Sequence, residues 1–469
     1  MNEEFEDLES ADGKAIAKRY EEMLEKEENW FFDLNQIEDL VDHYFLKGLE
    51  ELAMQAIEYG MSIFPDAPIL SLRKAQGLAT TGKMDESLSL LLFLLELEPF
   101  NDEIHLTLAS LYSEKGDHPH AVHHLKVALK YCDPMAFNDI ALDLAHEYEN
   151  NHRYVEAISI LKKAISKNPH NDIALYELAY LYDTIGDNAR AIRLFHEFLD
   201  ENPYSCAGWY NLGQSYILNG QSDKAIQALE YAVVINEHFL DAQISLGHAH
   251  FAEENYQEAI QCYLGGMNES LPQPAVYCCI GECKIQLNQY REALRYFDKA
   301  IKESEDYTEA WVGRAIVFDH LGNEEESLIS VNRAFSIDPT SVEIAMICGS
   351  MQMKAGFLEK AIEVFSGLVE SLPNSIEGWV SLSDCHAGLG NSTDALRAIE
   401  QGLAENPDHT ALLYRKVAFL HLTDKRKEAL LLLRNLAEQE PEGILDLITF
   451  YPDFMQEEEV LRIVQSAGN

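Results

Sequence analysis

Apolar residues along the chain recur with the period of an α-helix. In residues 172–205, Leu175, Leu178 and Tyr182 fall three or four positions apart, so they share one face of a helix. Gly186 then interrupts the pattern, because glycine adopts the left-handed conformation that ends a helix at little cost. A second apolar face follows at Ala191, Ile192, Phe195 and Leu199. The pattern predicts two helices joined by a short turn.

This helix pair repeats along the chain every 34 residues. A small residue marks the second helix of each copy, and one step, from Ala121 to Ala157, is longer at 36 residues. The marked positions are Ala53, Ser87, Ala121, Ala157, Ala191, Ala225, Ala259, Ala293, Ser327, Ala361, Ala395 and Ala429. The spacing predicts twelve helix pairs, which begin at residues 34, 68, 102, 138, 172, 206, 240, 274, 308, 342, 376 and 410.

One copy carries the fullest set of marker residues: Trp209, Leu212, Gly213, Tyr216, Gly220, Ala225, Leu229 and Ala232. With its period of 34 residues, this pattern resembles the tetratricopeptide repeat. The resemblance covers residues 34–443 and implies an all-α solenoid of helix-turn-helix units, wound into a right-handed superhelix. His152 and Asp424 stand where most copies have glycine, and Glu237 and Glu305 replace a proline. These substitutions make the ends of the helices beside them uncertain from the sequence, but they do not change the predicted fold.

The chain divides into three parts on this basis. Residues 1–33 form an acidic N-terminal segment, in which residues 14–33 fit either a helix that caps the first repeat or a mobile acidic arm. Residues 34–443 hold the twelve repeats. Residues 444–469 begin like another first helix, but Pro452 cuts it short. We expect this last part to be a degenerate capping unit, because solenoids need their end faces covered.

Charge narrows the classes of partner. The chain has 80 acidic and 35 basic residues, which gives a formal net charge of −45. Nucleic acids and anionic membrane surfaces bind basic stripes, so neither is expected as a partner. The charge favours cationic partners, or it serves solubility alone. Without a basic and apolar leader or a run of about 18 apolar residues, we expect a cytoplasmic protein that does not insert into membranes.

The resemblance also points to a binding surface. In this family the second, fifth, ninth and twelfth positions of each first helix usually line a concave groove. Here the fifth position is apolar or aromatic in eleven of twelve copies. The partner-binding groove is therefore predicted to include Tyr176, Tyr180, Tyr210, Gln214, Asp241, Ile244, His248 and Phe251. An apolar row beside acids suits an amphipathic or basic protein segment. The alternative is that the fifth position packs between neighbouring first helices.

No catalytic or cofactor site emerges from the sequence. His120 and His124 lie four residues apart, as zinc ligands sometimes do, but the segment 118–124 fits an ordinary second helix and lacks a completing ligand. Cys279 and Cys283 have the same spacing, and cysteine at small packing positions is commoner than a metal or redox site. Nearly every residue is assigned to a repeat, so no catalytic domain has room. We expect no metal, no cofactor and no enzyme activity.

These observations favour a noncatalytic scaffold or adaptor that binds partner segments in the groove. An acidic chaperone or holdase for basic or unassembled clients would use the same charge. A regulatory subunit of an enzyme complex would use the same fold. Repeat proteins share their packing positions whatever they bind, so the sequence leaves the partner, the pathway and the oligomeric state open.

Overall fold

The computed structural model describes residues 11–267 and 273–467. The described residues form helices and turns without a β-strand. Residues 1–10 of the predicted acidic segment lie outside the described residues. The chain divides into two compact units, Met1–Asn236 and Glu237–Asn469.

The first unit contains thirteen α-helices among its described residues. They are α1 (Ala11–Glu25), α2 (Leu34–Leu46), α3 (Glu50–Ile63), α4 (Pro68–Thr80), α5 (Met84–Leu97), α6 (Asp102–Glu114), α7 (His118–Tyr131), α8 (Phe137–Asn150), α9 (Tyr154–Lys167), α10 (Asp172–Thr184), α11 (Asn188–Glu201), α12 (Cys206–Leu218) and α13 (Ser222–Ile235). From α2 onward, the helices form six pairs, and the two helices of each pair contact each other and are joined by a short turn.

The second unit continues with six more pairs in its described part. Their helices are α14 (Leu240–Ala252), α15 (Tyr256–Gly265), α16 (Pro274–Gln286), α17 (Tyr290–Glu303), α18 (Thr308–His320), α19 (Glu324–Ile337), α20 (Val342–Lys354), α21 (Leu358–Ser371), α22 (Ile376–Gly388), α23 (Ser392–Glu405), α24 (Thr410–Leu422) and α25 (Arg426–Gln439). Short 3₁₀ turns at Pro441–Gly443 and Pro452–Gln456 accompany α26 (Ile444–Phe450) and α27 (Glu458–Ala467).

The predicted helix-pair fold is confirmed. First helices begin at the predicted residue in every copy except one, because α8 begins at Phe137, one residue earlier than expected. Missing markers do not move the helix ends. His152 and Asp424 adopt the left-handed conformation, with φ of 54° and 61°, at the turn that Gly220 makes with φ of 68°. Similarly, α17 ends at Glu303 although Glu305 replaces the proline.

The repeated small position is buried in the interior of each pair. All twelve of its residues are buried, and the two serines among them keep their hydroxyls satisfied. The Ser87 hydroxyl donates to the Ala75 carbonyl at 2.6 Å, and the Ser327 hydroxyl donates to the Ala315 carbonyl at 3.0 Å. A buried hydroxyl with a partner avoids the desolvation cost of an unpaired one. Serine therefore replaces alanine here without opening the pair.

Large residues fill the space beside this small position. Phe297 and Phe365 are fully buried, and each lies against a glycine of the facing first helix. A Cβ on Gly281 would come within 2.7 Å of the Phe297 ring, and one on Gly349 within 2.5 Å of the Phe365 ring. These distances are shorter than the van der Waals separation found even in a close-packed interior. The missing side chain is thus what admits the aromatic ring.

The terminal segments also bury side chains against neighbouring repeats. In the first unit, α1 buries Tyr20, whose ring lies edge-on to Phe32 at 5.9 Å and to Tyr44 at 6.4 Å. In the second unit, α27 buries Val460 and Ile463 but leaves Leu461 38% exposed. Residues 460 and 461 point in different directions from a helix, so Leu461 lies outside the buried face of α27.

Candidate functional site

An exposed apolar stripe runs along α10 in the first unit. Leu175, Leu178 and Tyr182 of this helix are buried in the repeat core. The opposite face carries Ile173, Tyr176 and Tyr180, which are 60%, 36% and 54% exposed. These three residues occupy the second, fifth and ninth positions of the repeat, where helical periodicity directs them away from the core. The helix therefore shows apolar side chains on both faces.

The neighbouring first helix, α12, extends the stripe. The Tyr210 ring lies edge-on to Tyr176, with centroids 6.0 Å apart and planes at 71°. Edge-to-face packing of this kind slightly stabilises the observed arrangement of the two rings. Tyr210 and Gln214 are half-buried, while Asn211 beside them is buried. Four predicted groove residues thus lie together on two adjacent first helices of one unit.

Carboxylates border this stripe on α8. Asp139 and Asp143 are exposed, and the Glu177 carboxylate on α10 lies 3.5 Å from the His146 ring. Although the Asp143 residue is exposed overall, the protein atoms around its carboxyl reduce the hydration of that group and thereby raise its pKa; His146 lowers this pKa, and the nearby charges of Asp139 and Glu147 raise it. Helices α8, α10 and α12 contain no Lys or Arg. On these three helices the basic side chain beside the acids is therefore His146 alone.

A cavity of about 470 Å³ opens between α6 and α8. Its apolar lining includes Leu106 and Leu125, and Asp143 contributes a carboxylate. Glu147, which is only 7% exposed, also lines it and is held in place on both oxygens. Its carboxylate accepts a hydrogen bond from the Ser113 hydroxyl at 2.5 Å and contacts the His118 Nδ1 at 3.0 Å. The cavity thus combines an apolar wall with fixed negative charge.

The other four predicted groove residues lie in the second unit. Asp241 is exposed on α14, while Ile244 packs against the buried cluster around Tyr263. His248 is exposed on one side, but its ring contacts the Tyr263 hydroxyl at 2.9 Å, and reduced hydration there lowers the pKa of this imidazole. The Phe251 ring lies edge-on to Tyr256 at 5.3 Å. His248 and Phe251 are therefore engaged with α15, and their part in a common groove stays a prediction.

The fifth-position row is neither wholly core nor wholly surface. Leu72, Cys278 and Tyr414 are buried, Tyr176 is exposed, and the remaining eight residues are half-buried. The Tyr414 hydroxyl donates to the Glu440 carbonyl at 2.8 Å, and its ring packs where a Cβ on Gly443 would clash. The burial of the fifth-position side chain therefore varies along the chain, because it depends on which neighbouring residues cover that side chain.

The acids near the N-terminal end of the first unit are already paired. The Arg73 guanidinium on α4 lies 3.3 Å from Glu38, 3.0 Å from Asp42 and 3.3 Å from Glu103, so it joins three successive first helices. Gln76 on the same helix accepts from Arg73 at 3.0 Å and donates to Thr107 at 3.3 Å. The three acids and Gln76 of this network occupy the second, fifth and ninth positions of their repeats, which are the positions of the stripe on α10, while Arg73 itself occupies the sixth.

Neither metal-like sequence forms a metal centre in the described residues. His120 pairs with Asp117 at 2.8 Å, whereas His124 is buried and its Nδ1 lies 2.9 Å from Nδ1 of His105. Across residues 11–267 and 273–467, no group of three or more His, Cys, Asp or Glu residues is arranged to hold a metal ion. Burial raises the pKa of Cys279 to about 11 and that of Cys283 to about 12, which disfavours reactive thiolates.

Sequence reasoning missed Ile173 and the cavity beside α8. Ile173 occupies the second position of its repeat, and reading that position for apolar residues as well as acids would have found it. The cavity has no such signal, because its walls come from three helices, α6, α7 and α8.

Within residues 11–267 and 273–467, every helix is too short or too polar to span a lipid bilayer.

Models of the tetratricopeptide repeat match residues 150–203, 194–227 and 284–342. Sperm-associated antigen 1 of Homo sapiens is 28% identical over 94 residues, which are 20% of this chain and 10% of that protein. The Intraflagellar transport protein 56 homolog of Caenorhabditis elegans is 22% identical over 204 residues, which are 42% of this chain and 34% of that protein. The matched residues therefore span about a third of the length of one relative and a tenth of the other.

Solved structures with similar helix arrays include yeast Tom70 and the APC/C hetero-tetramer Cut9-Hcn1. Tom70 is 16% identical with a TM-score of 0.40, and the match covers 91% of this chain and 97% of that one. The Cut9-Hcn1 chain is 12% identical with a TM-score of 0.39, and the match covers 87% and 98%. The family matches show that residues 150–227 and 284–342 carry tetratricopeptide repeats, and the same helix pair recurs in all twelve copies of the described structure. Such repeats generally mediate protein–protein interactions and are typically noncatalytic.

Proposed function

We propose that this protein is a noncatalytic interaction scaffold whose first unit binds an amphipathic, basic protein segment. The contact surface is the open face, defined here as Ile173, Tyr176, Tyr180 and Tyr210 with the carboxylates of α8 beside them. The observation that carries the proposal is the exposed stripe on α10, which adjoins acids on helices without Lys or Arg. A partner that brings its own cations and apolar anchors complements both features.

Physical chemistry assigns the two parts of this face different tasks. Tyrosine anchors bury apolar area while keeping a hydroxyl for a polar contact, so they supply most of the affinity. Carboxylates attract a basic segment over longer distances and orient it, so they act mainly on the association rate and on specificity. Binding would therefore weaken with salt without disappearing.

Selection from a random peptide library on the full chain tests the proposal. Selected peptides should combine Lys or Arg with large apolar residues, and a labelled representative should bind the purified chain in a fluorescence polarisation titration. The double variant Tyr176→Ser, Tyr180→Ser should weaken that binding by about tenfold or more, the size expected for losing interface anchors. The variant should keep its helical circular dichroism, because both side chains are exposed.

A matched control uses two exposed tyrosines of the same unit that lie off the open face. Tyr131 and Tyr204 are 41% and 85% exposed, so Tyr131→Ser, Tyr204→Ser removes similar side chains. This control should bind like the wild type. Equal losses in both variants would contradict the proposal. Peptides that are merely basic, and that dissociate completely at high salt, would favour the holdase function instead.

A further inference from the structure

The second helices α7 and α9 of the first unit carry a local excess of positive charge, although the whole chain has a net charge of −45. Helix α7 contains two lysines and no Asp or Glu, and α9 contains three lysines and a single acid, Glu156. Four of these lysines are named the basic face here: Lys126, Lys130, Lys163 and Lys167. All four are exposed, so a partner can reach their ammonium groups.

Contacts at the start of α8 bring lysines of α9 to the end of α7. The ammonium groups of Lys163 and Lys167 lie 5.3 Å and 3.4 Å from the centroid of the Phe137 ring. Partial burial raises the pKa of the Cys132 thiol, just after α7, and the charge of Asp102 also raises it, whereas Lys167 lowers it. Lys167 therefore lies close to the end of α7, and the two helices present their lysines on one surface.

The other end of the basic face lies beside a second aromatic ring of α8. The Lys126 ammonium lies 5.3 Å from the centroid of the Tyr148 ring, and the Arg153 guanidinium lies 4.9 Å from the same centroid. Arg153 pairs with Glu156 at 2.6 Å, so the single acid of α9 already has a cation. Aromatic faces attract cations, and the Phe137 and Tyr148 rings therefore favour the observed positions of the lysines.

The described carboxylates leave the basic face without an ion pair. None of its four ammonium groups lies within 4 Å of a carboxylate oxygen in residues 11–267 and 273–467, where the lysines that form ion pairs are Lys26, Lys115, Lys284, Lys354 and Lys416. The Asp133 carboxylate, in the turn after α7, instead accepts from the Met135 backbone N–H at 2.8 Å. An acidic partner consequently has no such pair to break.

An apolar edge adjoins the basic face at the end of α7. The Lys130 ammonium donates to the Tyr131 hydroxyl at 3.1 Å, and the centroid of the Tyr131 ring lies 4.7 Å from that of the Phe100 ring. Phe100 is 62% exposed, and Met135 in the following turn is 89% exposed. These two side chains leave apolar area that a partner can bury.

We propose that the basic face binds a short acidic segment of a partner protein, which carries a large apolar residue among its Asp and Glu residues. The carboxylates complement the four ammonium groups, and the apolar residue covers Phe100 and Met135. Salt screens charges beyond about 8 Å at physiological ionic strength, so a short segment meets mainly the local lysines. A nucleic acid would extend past them over a chain with a net charge of −45 and be repelled. This site is independent of the function proposed above.

Fluorescence polarisation of a labelled peptide against the full chain tests this proposal. The probe is Glu-Asp-Glu-Phe-Glu-Asp-Glu, and the two comparison peptides replace either all acids by Gln and Asn or Phe by Ala. The probe should bind, the neutral peptide should not, and the alanine peptide should bind severalfold more weakly. Absence of probe binding, or equal binding of the probe and the neutral peptide, would overturn the proposal. Equal affinity of the probe and the alanine peptide would overturn its apolar part.

A pair of double variants locates the binding. Lys163→Gln, Lys167→Gln should weaken the probe about fivefold, because exposed ion pairs contribute modestly. The matched control is Lys299→Gln, Lys302→Gln on the second helix α17, which removes the same charge and also includes a lysine beside an aromatic ring, since Lys299 lies 4.9 Å from the Tyr296 centroid. The control should bind like the wild type. Equal weakening by both would mean that net charge alone decides, and would overturn the site.

Two further measurements separate this occupant from others. A single-stranded DNA of twenty nucleotides should fail to displace the probe, and displacement by less DNA than unlabelled peptide would assign the face to a nucleic acid instead. Analytical ultracentrifugation should give the same mass for the wild type and for Lys163→Gln, Lys167→Gln. A wild-type dimer that this variant loses would make the occupant a second copy of the chain and would overturn the proposal.

Discussion

Two sets of three first helices in the first unit differ in the side chains that they carry at equivalent repeat positions. Across α2, α4 and α6, Arg73 joins Glu38, Asp42 and Glu103 in one network. Across α8, α10 and α12, the same positions carry exposed tyrosines and acids without Lys or Arg. One arginine thus pairs the acids of the first set, and the first helices of the second set carry no such residue.

The difference shows that repeat position alone does not make a binding surface. Gln76 and Tyr180 both occupy the ninth position of their repeats. Gln76 is held by Arg73 and Thr107, while Tyr180 is 54% exposed. A partner that displaced Gln76 would first have to break an existing network. A partner at Tyr180 would only have to remove water from an apolar ring.

Removing the arginine should have the strongest effect on folding stability. Arg73→Met should lower the free energy of unfolding by about 2–3 kcal/mol, because it leaves three neighbouring carboxylates without their common cation. Chemical denaturation at neutral pH measures the change. Adding Glu38→Gln and Asp42→Asn to the same chain should restore much of the loss. A single variant as stable as the wild type would show that this network is merely a surface contact.

Acid should destabilise the first unit through His124. Burial is the main cause that lowers the pKa of this imidazole to about 4, with His105, His123 and His120 adding like charge. The unfolded chain then takes up a proton near pH 6.5, while the folded chain resists it until about pH 4. This contribution to stability is complete above about pH 6.5 and falls by roughly 2 kcal/mol between pH 7 and pH 5.

Denaturation curves across that pH range test the effect of His124. His124→Phe should flatten the pH dependence, whatever it does to stability at neutral pH. His123→Asn removes the adjacent exposed histidine and serves as the control, so its pH dependence should stay close to that of the wild type. An unchanged slope in the phenylalanine variant would place the acid sensitivity elsewhere, for instance at His105, whose pKa burial also lowers.

The turn between α8 and α9 offers a smaller, stabilising change. His152 holds φ at 54° between α8 and α9, where most repeats have glycine. A side chain in this conformation costs about 1 kcal/mol, so His152→Gly should raise the free energy of unfolding by about that amount. Asn288→Gly, at the equivalent turn with φ of 56°, should gain less, because asparagine tolerates the left-handed region. Thermal unfolding of both variants ranks them.

Changing the open face itself should affect stability least. Tyr176→Ser, Tyr180→Ser should alter the free energy of unfolding by no more than about 0.5 kcal/mol, as expected for exposed positions. The same variant should lose most of its affinity for the selected peptide. A large loss of stability would instead make the stripe part of the packing between first helices, which is the alternative that the sequence leaves open.

The fold was predictable because its signals are local and repeated. Helix starts follow from the spacing of the small position, and even the copies with His152 or Asp424 keep the turn. The site was harder, because exposure depends on neighbours distant in sequence. Tyr176 and Tyr414 share the fifth position, yet Tyr414 is buried by a segment around Gly443 that only the terminal residues supply.

Photo-crosslinking tests the central claim most directly, because it compares the two surfaces at one repeat position. The selected peptide would be irradiated with full-length chains carrying p-benzoylphenylalanine in place of either Tyr180 or Gln76. We expect a crosslinked product at position 180, none at position 76, and loss of the product when unlabelled peptide competes. Crosslinking at position 76, or at both positions equally, would contradict the claim that the open face is the binding surface.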